Sequence, residues 1–321
     1  MQAPDRTPVY ADIEAAGAII AAQLAPTPLL PATELGASLA GSLYLKCESL
    51  QVTGSFKPRG ALNWIANATA EELAAGLVTV SAGNHATGLA WAARARQVPV
   101  TVIMPADASP LKAQAARDYG AEVRLIGDIN GAWAAAYELA ESGLTLVPPY
   151  DEPRIIAGQG SIGLELLQQC PRVPDVVVCP VGGGGLISGL GLALKQAQPQ
   201  LRLVGVEPAG APTLRASWDA GEPVTLQAPH SIAASLGANR AGIWTHALSQ
   251  QVVDELITLD EATIIDGTRA TMTRGRLYAE PGGAIAVAAL LAGRVSLAAG
   301  ETAVAIVSGG NMDLALLQQM L

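Results

Sequence analysis

Short apolar segments alternate with Ala-rich segments along most of the chain, most clearly from Leu77 onward. The apolar segments are rich in Val and Ile, which predicts buried strands, and the Ala-rich segments have the length of helices. This alternation is typical of a parallel sheet that helices cover on both faces. The pattern therefore predicts an α/β fold with open, twisted, mostly parallel sheets.

The same pattern predicts where individual elements lie. The predicted strands are residues 43–47, 77–81, 100–104, 123–126, 175–179, 201–206 and 303–307. The predicted helices are residues 15–25 and 162–169, together with helices beginning near residues 84, 110, 131 and 186. Residues 222–242 break the periodicity and predict a long irregular segment. Because 321 residues exceed the usual size of a single core, two unequal lobes with a cleft between them are a reasonable expectation.

Composition narrows the class of protein. Half of the residues are apolar, but no apolar run reaches the roughly 18 residues that a membrane helix needs. Asp12 and Glu14 precede the apolar residues 15–25, where a secretory signal would be positive. A net charge of −9 without a Lys/Arg run argues against a nucleic-acid partner. Three cysteines without CxxC spacing indicate a reducing cytoplasm rather than disulfides or a zinc cluster.

A lysine follows the first predicted strand. Lys57 lies in the segment SFKPRGA, residues 55–61, and is one of four lysines in the chain. Burial disfavours the ammonium form, so a partly buried lysine presents a neutral amine that can attack an aldehyde. A solvated loop lysine fits the local pattern equally well.

Four consecutive glycines, Gly182, Gly183, Gly184 and Gly185, separate a predicted strand from a predicted helix. Glycines let the backbone turn tightly, so that N–H groups and the positive end of the helix converge on a phosphate. The spacing of these glycines differs from the GxGxxG motif of dinucleotide-binding folds. The two patterns share one feature, an acidic residue after the next strand. The run predicts a phosphate cradle, with a plain turn as the alternative.

Two more loops follow predicted strands. Ser308 begins the segment SGGN, and its hydroxyl could bind a pyridine nitrogen unless the segment is a plain turn. The segment SAGNH, residues 81–85, suits a carboxylate through its N–H groups, and Asn84 could bind a ring oxygen. The alternatives are a helix cap for Ser81 and a half-buried helix position for His85. Because ligands lie beyond the carboxyl ends of strands in open α/β sheets, these loops are expected to share one crevice.

In this order, the motifs resemble those of the fold-type II pyridoxal-phosphate enzymes, and within them the threonine/serine dehydratase and serine racemase group. The match runs over nearly the whole chain, from the TPL segment at residue 27 through GQG at residue 158 and EP at residue 280 to SGGN. The resemblance implies the tryptophan synthase β-like fold with two open sheets. It also implies a large cofactor-binding domain, residues 1–68 and 148–321, with a small domain, residues 69–147, inserted in it.

The resemblance implies a role for each site residue. Lys57 would be the catalytic, Schiff-base lysine, Phe56 would lie against the cofactor, and Ser308 would meet its pyridine nitrogen. Asn84 would bind the ring hydroxyl, and Gly182 to Gly185 would hold the phosphate. The loop that receives the substrate carboxylate would consist of Ser81, Ala82, Gly83, Asn84 and His85.

The implied reaction removes water and then ammonia from a β-hydroxy amino acid, threonine or serine first of all, and yields a 2-keto acid. Lys57 would remove the α-proton while the cofactor accepts electrons. A hydroxyl at position 308 leaves the ring nitrogen largely unprotonated, which favours loss of a β leaving group over transamination. Bulkier or acidic 3-hydroxy amino acids are also candidate substrates, and residues 148–153 and 231–242 are expected to select among them.

Three alternatives stay open. Serine racemases of this group carry a second serine directly after the position of Ser81, and it reprotonates the α-carbon. This chain has Ala82, which cannot carry a proton, so dehydration is favoured over racemisation. A β-replacement enzyme of the cysteine-synthase type usually has a TSGNTG-like loop here. A silent amino-acid-binding protein would have no use for Lys57.

The resemblance also raises a divalent-cation site and an assembly. The group often binds a cation through a Glu, a backbone carbonyl and an Asp. Glu207 and Ala211 match, but Thr213 stands in place of the Asp, so the metal is unassigned. We expect no regulatory domain, since the sequence stops soon after Ser308. The resemblance further implies a cytoplasmic homodimer that acts on a small-molecule substrate.

Overall fold

The computed structural model describes residues 6–320, and within this range the chain forms ten strands and thirteen α-helices. The strands are β1 (Leu29–Pro31), β2 (Ser42–Cys47), β3 (Leu77–Val80), β4 (Val100–Met104), β5 (Glu122–Leu125), β6 (Thr145–Leu146), β7 (Val176–Pro180), β8 (Arg202–Pro208), β9 (Glu255–Leu259) and β10 (Thr302–Val307). The helices are α1 (Tyr10–Ala21), α2 (Lys57–Asn67), α3 (Ala70–Ala74), α4 (Asn84–Arg94), α5 (Pro110–Asp118), α6 (Ile129–Glu141), α7 (Pro153–Gln169), α8 (Gly185–Ala197), α9 (Thr213–Ala220), α10 (Ile243–Val252), α11 (Glu261–Thr273), α12 (Pro281–Leu291) and α13 (Leu314–Met320). Short 3₁₀ helices lie at Glu48–Leu50, Val52–Gly54 and Ala234–Leu236. None of the helices in residues 6–320 is long and apolar enough to cross a bilayer.

The strands form two sheets. The larger sheet has the order β1-β2-β10-β7-β8-β9, and all of its neighbours are parallel except β1 and β2. The smaller sheet has the order β5-β4-β3-β6 and is parallel throughout. The predicted α/β class with two mostly parallel sheets is confirmed. The four strands of the smaller sheet fall between residues 77 and 146, while the domain boundaries stay a prediction.

The predicted strands lie within two residues of their observed bounds at each end. Strands β7 and β10 are buried along their whole length, which explains their continuous apolar runs. The helix predicted at residues 15–25 begins earlier, at Tyr10, and ends at Ala21. The helix predicted at residues 162–169 begins at Pro153, because the Glu152 carboxylate accepts the N–H of Ile155 at 2.9 Å and caps the helix.

A buried cluster of charges joins β2, α2 and α7. The Arg59 guanidinium lies 2.8 Å from the Glu48 carboxylate and 2.6 Å from the Glu165 carboxylate, and the Lys46 amine also donates to Glu165. The side chains of Arg59 and Glu48 are fully buried, so each charge needs its partner. The cluster fixes the first turn of α2, two residues beyond Lys57.

Candidate active site

A cavity of about 240 Å³ lies where loops from both sheets meet. These loops follow β3 and β6 of the smaller sheet and β7 and β10 of the larger sheet. All of the predicted site residues line the cavity: Phe56, Lys57, Ser81, Ala82, Gly83, Asn84, His85, Gly182, Gly183, Gly184, Gly185 and Ser308. The loops therefore share one crevice, while the role of each residue stays a prediction.

Lys57 is the first residue of α2. Its amine donates a hydrogen bond to the carbonyl oxygen of Pro149 at 2.7 Å and lies 5.1 Å from the centre of the Phe56 ring. Burial lowers the pKa of Lys57 to about 8, because the ammonium is poorly solvated there. Lys57 is therefore not a solvated loop lysine, and its amine can act as a nucleophile or a base near pH 8.

The glycine run leads into α8, whose first residue is Gly185. Gly184 has a φ of 88°, in the left-handed region that favours glycine. A Cβ atom on Gly183 would come within 2.4 Å of the Tyr150 ring, and one on Gly184 within 2.9 Å of the Thr245 Cβ. Side chains at these two positions would therefore clash with Tyr150 and Thr245, so the turn that leads to the helix N-terminus, where an anion is stabilised, keeps this shape only with glycine.

The loop that follows β3 is held by hydrogen bonds. The Ser81 hydroxyl accepts the N–H of Gly83 at 3.2 Å. The Asn84 amide nitrogen donates to the Glu280 carboxylate at 2.6 Å, and its oxygen accepts from Asn311 at 2.7 Å. These bonds fix the orientation of the Asn84 side chain and leave its second N–H for a ligand.

The His85 side chain is 2% exposed, so it is buried rather than half-buried. Its Nε2 lies 3.4 Å from the carbonyl oxygen of Val147. Burial, with a contribution from the positive charge of Lys57, lowers the pKa of His85 to about 3. The ring is neutral at physiological pH and cannot act as a cation towards a carboxylate, so only the backbone of His85 suits that predicted role.

Three further residues line the cavity: Lys112, which no sequence pattern marked, and Tyr150 and Gln159, which were marked only as members of the segment 148–153 and of the GQG motif. The Lys112 amine lies 3.8 Å from the Glu280 carboxylate, and its chain passes along Gly83. The Tyr150 ring packs against the glycine run, and its hydroxyl donates to the Arg240 carbonyl oxygen at 2.8 Å. Tyr150 belongs to the segment 148–153, and both this segment and residues 234–239 of the segment 231–242 reach the cavity.

The residues of the suspected cation site have partners within the protein. The Glu207 carboxylate accepts the N–H groups of Leu214 at 2.7 Å and Arg215 at 2.8 Å, and so caps α9. The Thr213 hydroxyl donates to the Ala238 carbonyl oxygen. In the described part of the chain no three His, Cys, Asp or Glu side chains form a group that could hold a metal. Whether Glu207 and Ala211 bind a cation stays untested.

Comparison with known proteins decides the family. The model of a family described as pyridoxal-phosphate dependent enzyme matches residues 20–309. The chain belongs to this family. Among curated relatives, the L-threonine ammonia-lyase of Geobacter sulfurreducens is 42% identical over 290 residues, covering 90% of this chain and 72% of that protein. The catabolic L-threonine dehydratase of Escherichia coli K12 is 38% identical over 283 residues, covering 87% of this chain and 86% of that protein.

Solved structures of similar proteins have the same fold. Maize serine racemase superposes with a TM-score of 0.92 at 34% identity, covering 98% of this chain and 97% of the other. The T.th. threonine deaminase superposes with a TM-score of 0.88 at 38% identity, covering 95% of this chain and 99% of the other. The fold predicted from the motifs is therefore also the fold of these two solved structures.

The cavity fits pyridoxal phosphate. It offers one amine of lowered pKa for the aldehyde and, at the start of α8, a glycine turn that any Cβ atom at Gly183 or Gly184 would disrupt. The Ser308 hydroxyl and the free N–H of Asn84 supply polar groups for the ring. The cavity therefore holds an amine, a helix N-terminus and polar side chains, the kinds of group that pyridoxal phosphate needs.

Proposed function

We propose that this protein is a pyridoxal-phosphate-dependent dehydratase that converts threonine or serine to a 2-keto acid and ammonia. The observation that carries the proposal is the position of Lys57, whose pKa is about 8, in one cavity with the glycine run and the loop after β3. Relatives named threonine ammonia-lyase or dehydratase, 38 to 42% identical, support this choice of substrate.

The chain's own residues would divide the work of binding. Gly182 to Gly185 and the N-terminus of α8 would hold the phosphate, as helix N-termini hold anions elsewhere. Phe56 would lie against the ring, Ser308 would hydrogen-bond its nitrogen, and Asn84 would donate to its oxygen. Each of these residues lines the cavity.

Lys57 would hold the cofactor at rest and act as the base during turnover. When bound, the cofactor supplies an electron sink for the α-carbon of the amino acid joined to it. The neutral amine of Lys57 would take the α-proton and return a proton to the departing hydroxyl. Its lowered pKa suits both transfers near neutral pH.

The substrate carboxylate would lie against the loop after β3. The backbone N–H groups of residues 81–85 and the Ser81 hydroxyl are its proposed donors. Lys112 supplies a positive charge beside Gly83, and its 3.8 Å distance to Glu280 is long for an ion pair. We therefore add Lys112 to the proposed carboxylate site.

Racemisation of serine is the second candidate, favoured by the TM-score of 0.92 to maize serine racemase. Ala82 lines the cavity directly after Ser81, and its methyl group cannot deliver a proton to the α-carbon. Dehydration is therefore the preferred function.

The proposal includes a homodimer in the cytoplasm. The homodimer rests on the family resemblance. The cytoplasm is supported by three cysteines that are buried and free, as expected in a reducing compartment. Light scattering of the purified protein tests the assembly, and a monomer at micromolar concentration contradicts it.

A keto-acid assay tests the function. We expect release of 2-keto acid and ammonia from L-threonine or L-serine, and less from their D-isomers, 3-hydroxyaspartate and phenylserine. The Lys57→Ala variant should lose both turnover and the visible absorbance of the bound cofactor. Lys195→Ala, at a lysine paired with Asp254 outside the cavity, is the matched control. Full turnover in Lys57→Ala, or serine racemisation without keto acid, contradicts the proposal.

A further inference from the structure

Three buried polar atoms on the wall of the cavity have no hydrogen-bond partner among the described residues. They are Nδ1 of His85 and both amide atoms of Gln159. The side chains are 2% and 1% exposed, and both line the cavity with Lys57. An unsatisfied buried polar group destabilises a native structure, so such a group calls for a partner in another state of the site.

Gln159 is brought to this place by a close contact between α2 and α7. A Cβ atom on Gly158 would lie 2.6 Å from the Cα of Gly60, and one on Gly60 would lie 2.4 Å from the Gln159 amide nitrogen. Gly60 is three residues beyond Lys57 in α2. The amide of Gln159 therefore lies against the helical turn that begins at the active lysine.

His85 approaches Lys57 from α4. A Cβ atom on Gly88, one turn beyond His85, would lie 3.1 Å from the Lys57 Cβ. The contact between Nε2 of His85 and the Val147 carbonyl oxygen places the ring proton on Nε2. Nδ1 is then a neutral acceptor, and the positive charge of Lys57 acts on this ring.

A protonated Lys57 amine can donate more hydrogen bonds than the one that the Pro149 carbonyl oxygen accepts. An ammonium carries three N–H donors, and the Pro149 carbonyl oxygen accepts one of them at 2.7 Å. Two donors remain whenever Lys57 is free and protonated, including the moment after it has taken the α-proton. The two unpartnered acceptors of the wall match this number.

We propose that Nδ1 of His85 and Oε1 of Gln159 accept hydrogen bonds from the protonated amine of Lys57 and are positioning residues for this base. The inference rests on the proposed function only where it treats Lys57 as the base. Because both acceptors are neutral, they stabilise the ammonium less than a carboxylate would. The pKa of the amine therefore stays close to the pH at which it must both take and return a proton.

The charged and titratable groups on the surrounding elements have other partners. These pairs are Arg59 with Glu48 and Glu165, Glu152 with Arg154, Asp151 with the N–H groups that begin α10, Tyr150 with the Arg240 carbonyl, and Glu280 with Asn84 and Lys112. Burial alone accounts for the lowered pKa of Lys57. Loss of a neutral acceptor, or gain of a negative charge beside the amine, should therefore change the titration of Lys57.

Competitive acetylation of the cofactor-free protein tests the inference. The reaction is followed by mass spectrometry from pH 6 to 10, and Lys112 and Lys195 serve as internal references. We expect Gln159→Leu to lower the labelling midpoint of Lys57 by about one pH unit, since a hydrogen bond to a charged group is lost. Gln159→Glu should raise the midpoint, because it places a negative charge beside the amine. Opposite shifts are not expected from a merely structural role.

His85→Leu should also lower the midpoint, whereas His246→Leu should not. His246 is the matched control, since it is 7% exposed and its Nε2 lies 3.2 Å from the Ser217 carbonyl oxygen, away from the cavity. If His85→Leu fails to fold, the Gln159 pair decides alone. Unchanged midpoints, or equal shifts in Gln159→Leu and Gln159→Glu, overturn the inference. These outcomes do not depend on turnover, so a failure of the proposed dehydratase activity is recognised separately.

Discussion

The four lysines of the chain have four different surroundings, and these decide their chemistry. Lys46 is buried beside Glu165, and Lys195 pairs with Asp254 at 2.7 Å. Lys112 has a carboxylate only at 3.8 Å. Lys57 has a carbonyl oxygen as its hydrogen-bond acceptor, and its pKa is lowered to about 8 by burial. Lys57 is therefore suited to bond formation and proton transfer, and Lys112 to binding an anion.

The Lys112→Met variant should raise the KM for threonine about tenfold, the size expected for loss of one charged partner in a partly exposed site. It should leave kcat and cofactor affinity nearly unchanged. Lys195→Met is the matched control, since both lysine side chains are 18% exposed. Inhibition constants for alanine and alaninol show whether the lost affinity comes from the substrate carboxylate or from another part of the substrate. An equal loss of affinity for alaninol, which has no carboxylate, contradicts the assignment.

The motif residues could be predicted from the sequence because each lies in a distinctive segment after a buried strand, within two residues for the glycine run and Ser308 and ten residues beyond Cys47 for Lys57. Lys57, the glycine run and Ser308 belong to this class. The place of Lys112 in the cavity could not be predicted, and the GQG motif marked Gln159 without a role, because both side chains reach the cavity from the sides of helices α5 and α7. No local pattern distinguishes such a position from a solvated or packed one, and only the crossing of helices shows where the side chain lies.

At the scale of elements, the start of α8 is the most constrained part of the site. Gly184 combines a φ of 88° with a Thr245 side chain 2.9 Å from where a Cβ atom would lie. The backbone conformation and the neighbouring side chain therefore exclude other residues independently.

The Gly184→Ala variant should lose cofactor affinity at least tenfold, because the added methyl group displaces Thr245 or the loop itself. Gly221→Ala provides the control, since its φ is 74° but nothing lies within 4 Å of the new methyl group. Both variants should lose about 1 kcal/mol of stability from the left-handed conformation. Cofactor titration followed by absorbance measures the difference, and equal affinities in the two variants disagree with a phosphate cradle at this loop.

Strands were easier to predict than helices in the second half of the chain. Strands β7, β8 and β10 are buried and read as apolar runs. Helix α12 is buried nearly all round, so its sequence lacks the polar stripe that marks an amphipathic helix. Strand β9 lies at the edge of the larger sheet and mixes exposed and buried positions, which hides it from a search for apolar runs.

At the scale of the whole molecule, one buried acid makes stability depend on pH. Burial raises the pKa of Glu207 to about 7, although the carboxylate accepts N–H groups at the start of α9. Because the pKa of Glu207 is higher in the folded state than in the unfolded state, the native protein binds this proton more tightly, and the tighter binding stabilises the fold. The contribution of the protonated Glu207 to stability is fully present below about pH 4.5 and is lost as the pH rises through 7.

The stability of the native protein relative to Glu207→Gln should therefore fall between pH 4.5 and 8, by up to about 3 kcal/mol. Urea unfolding of both proteins at several pH values measures this difference. Glu222→Gln, at an exposed position, controls for the general loss of one carboxylate. A difference that does not change with pH would show that the pKa of Glu207 is not raised in the folded state.

The order of strands in the larger sheet also bears on how the protein matures. Strand β10 lies between β2 and β7, although it follows them in sequence by about 250 and 120 residues. Strand β2 precedes Lys57, and strand β7 precedes the glycine run. During synthesis on the ribosome, β10 cannot join these two strands until residue 307 has emerged. We therefore expect pyridoxal phosphate to bind only after the chain has been made through residue 307. Nascent chains that end before this residue should lack the cofactor.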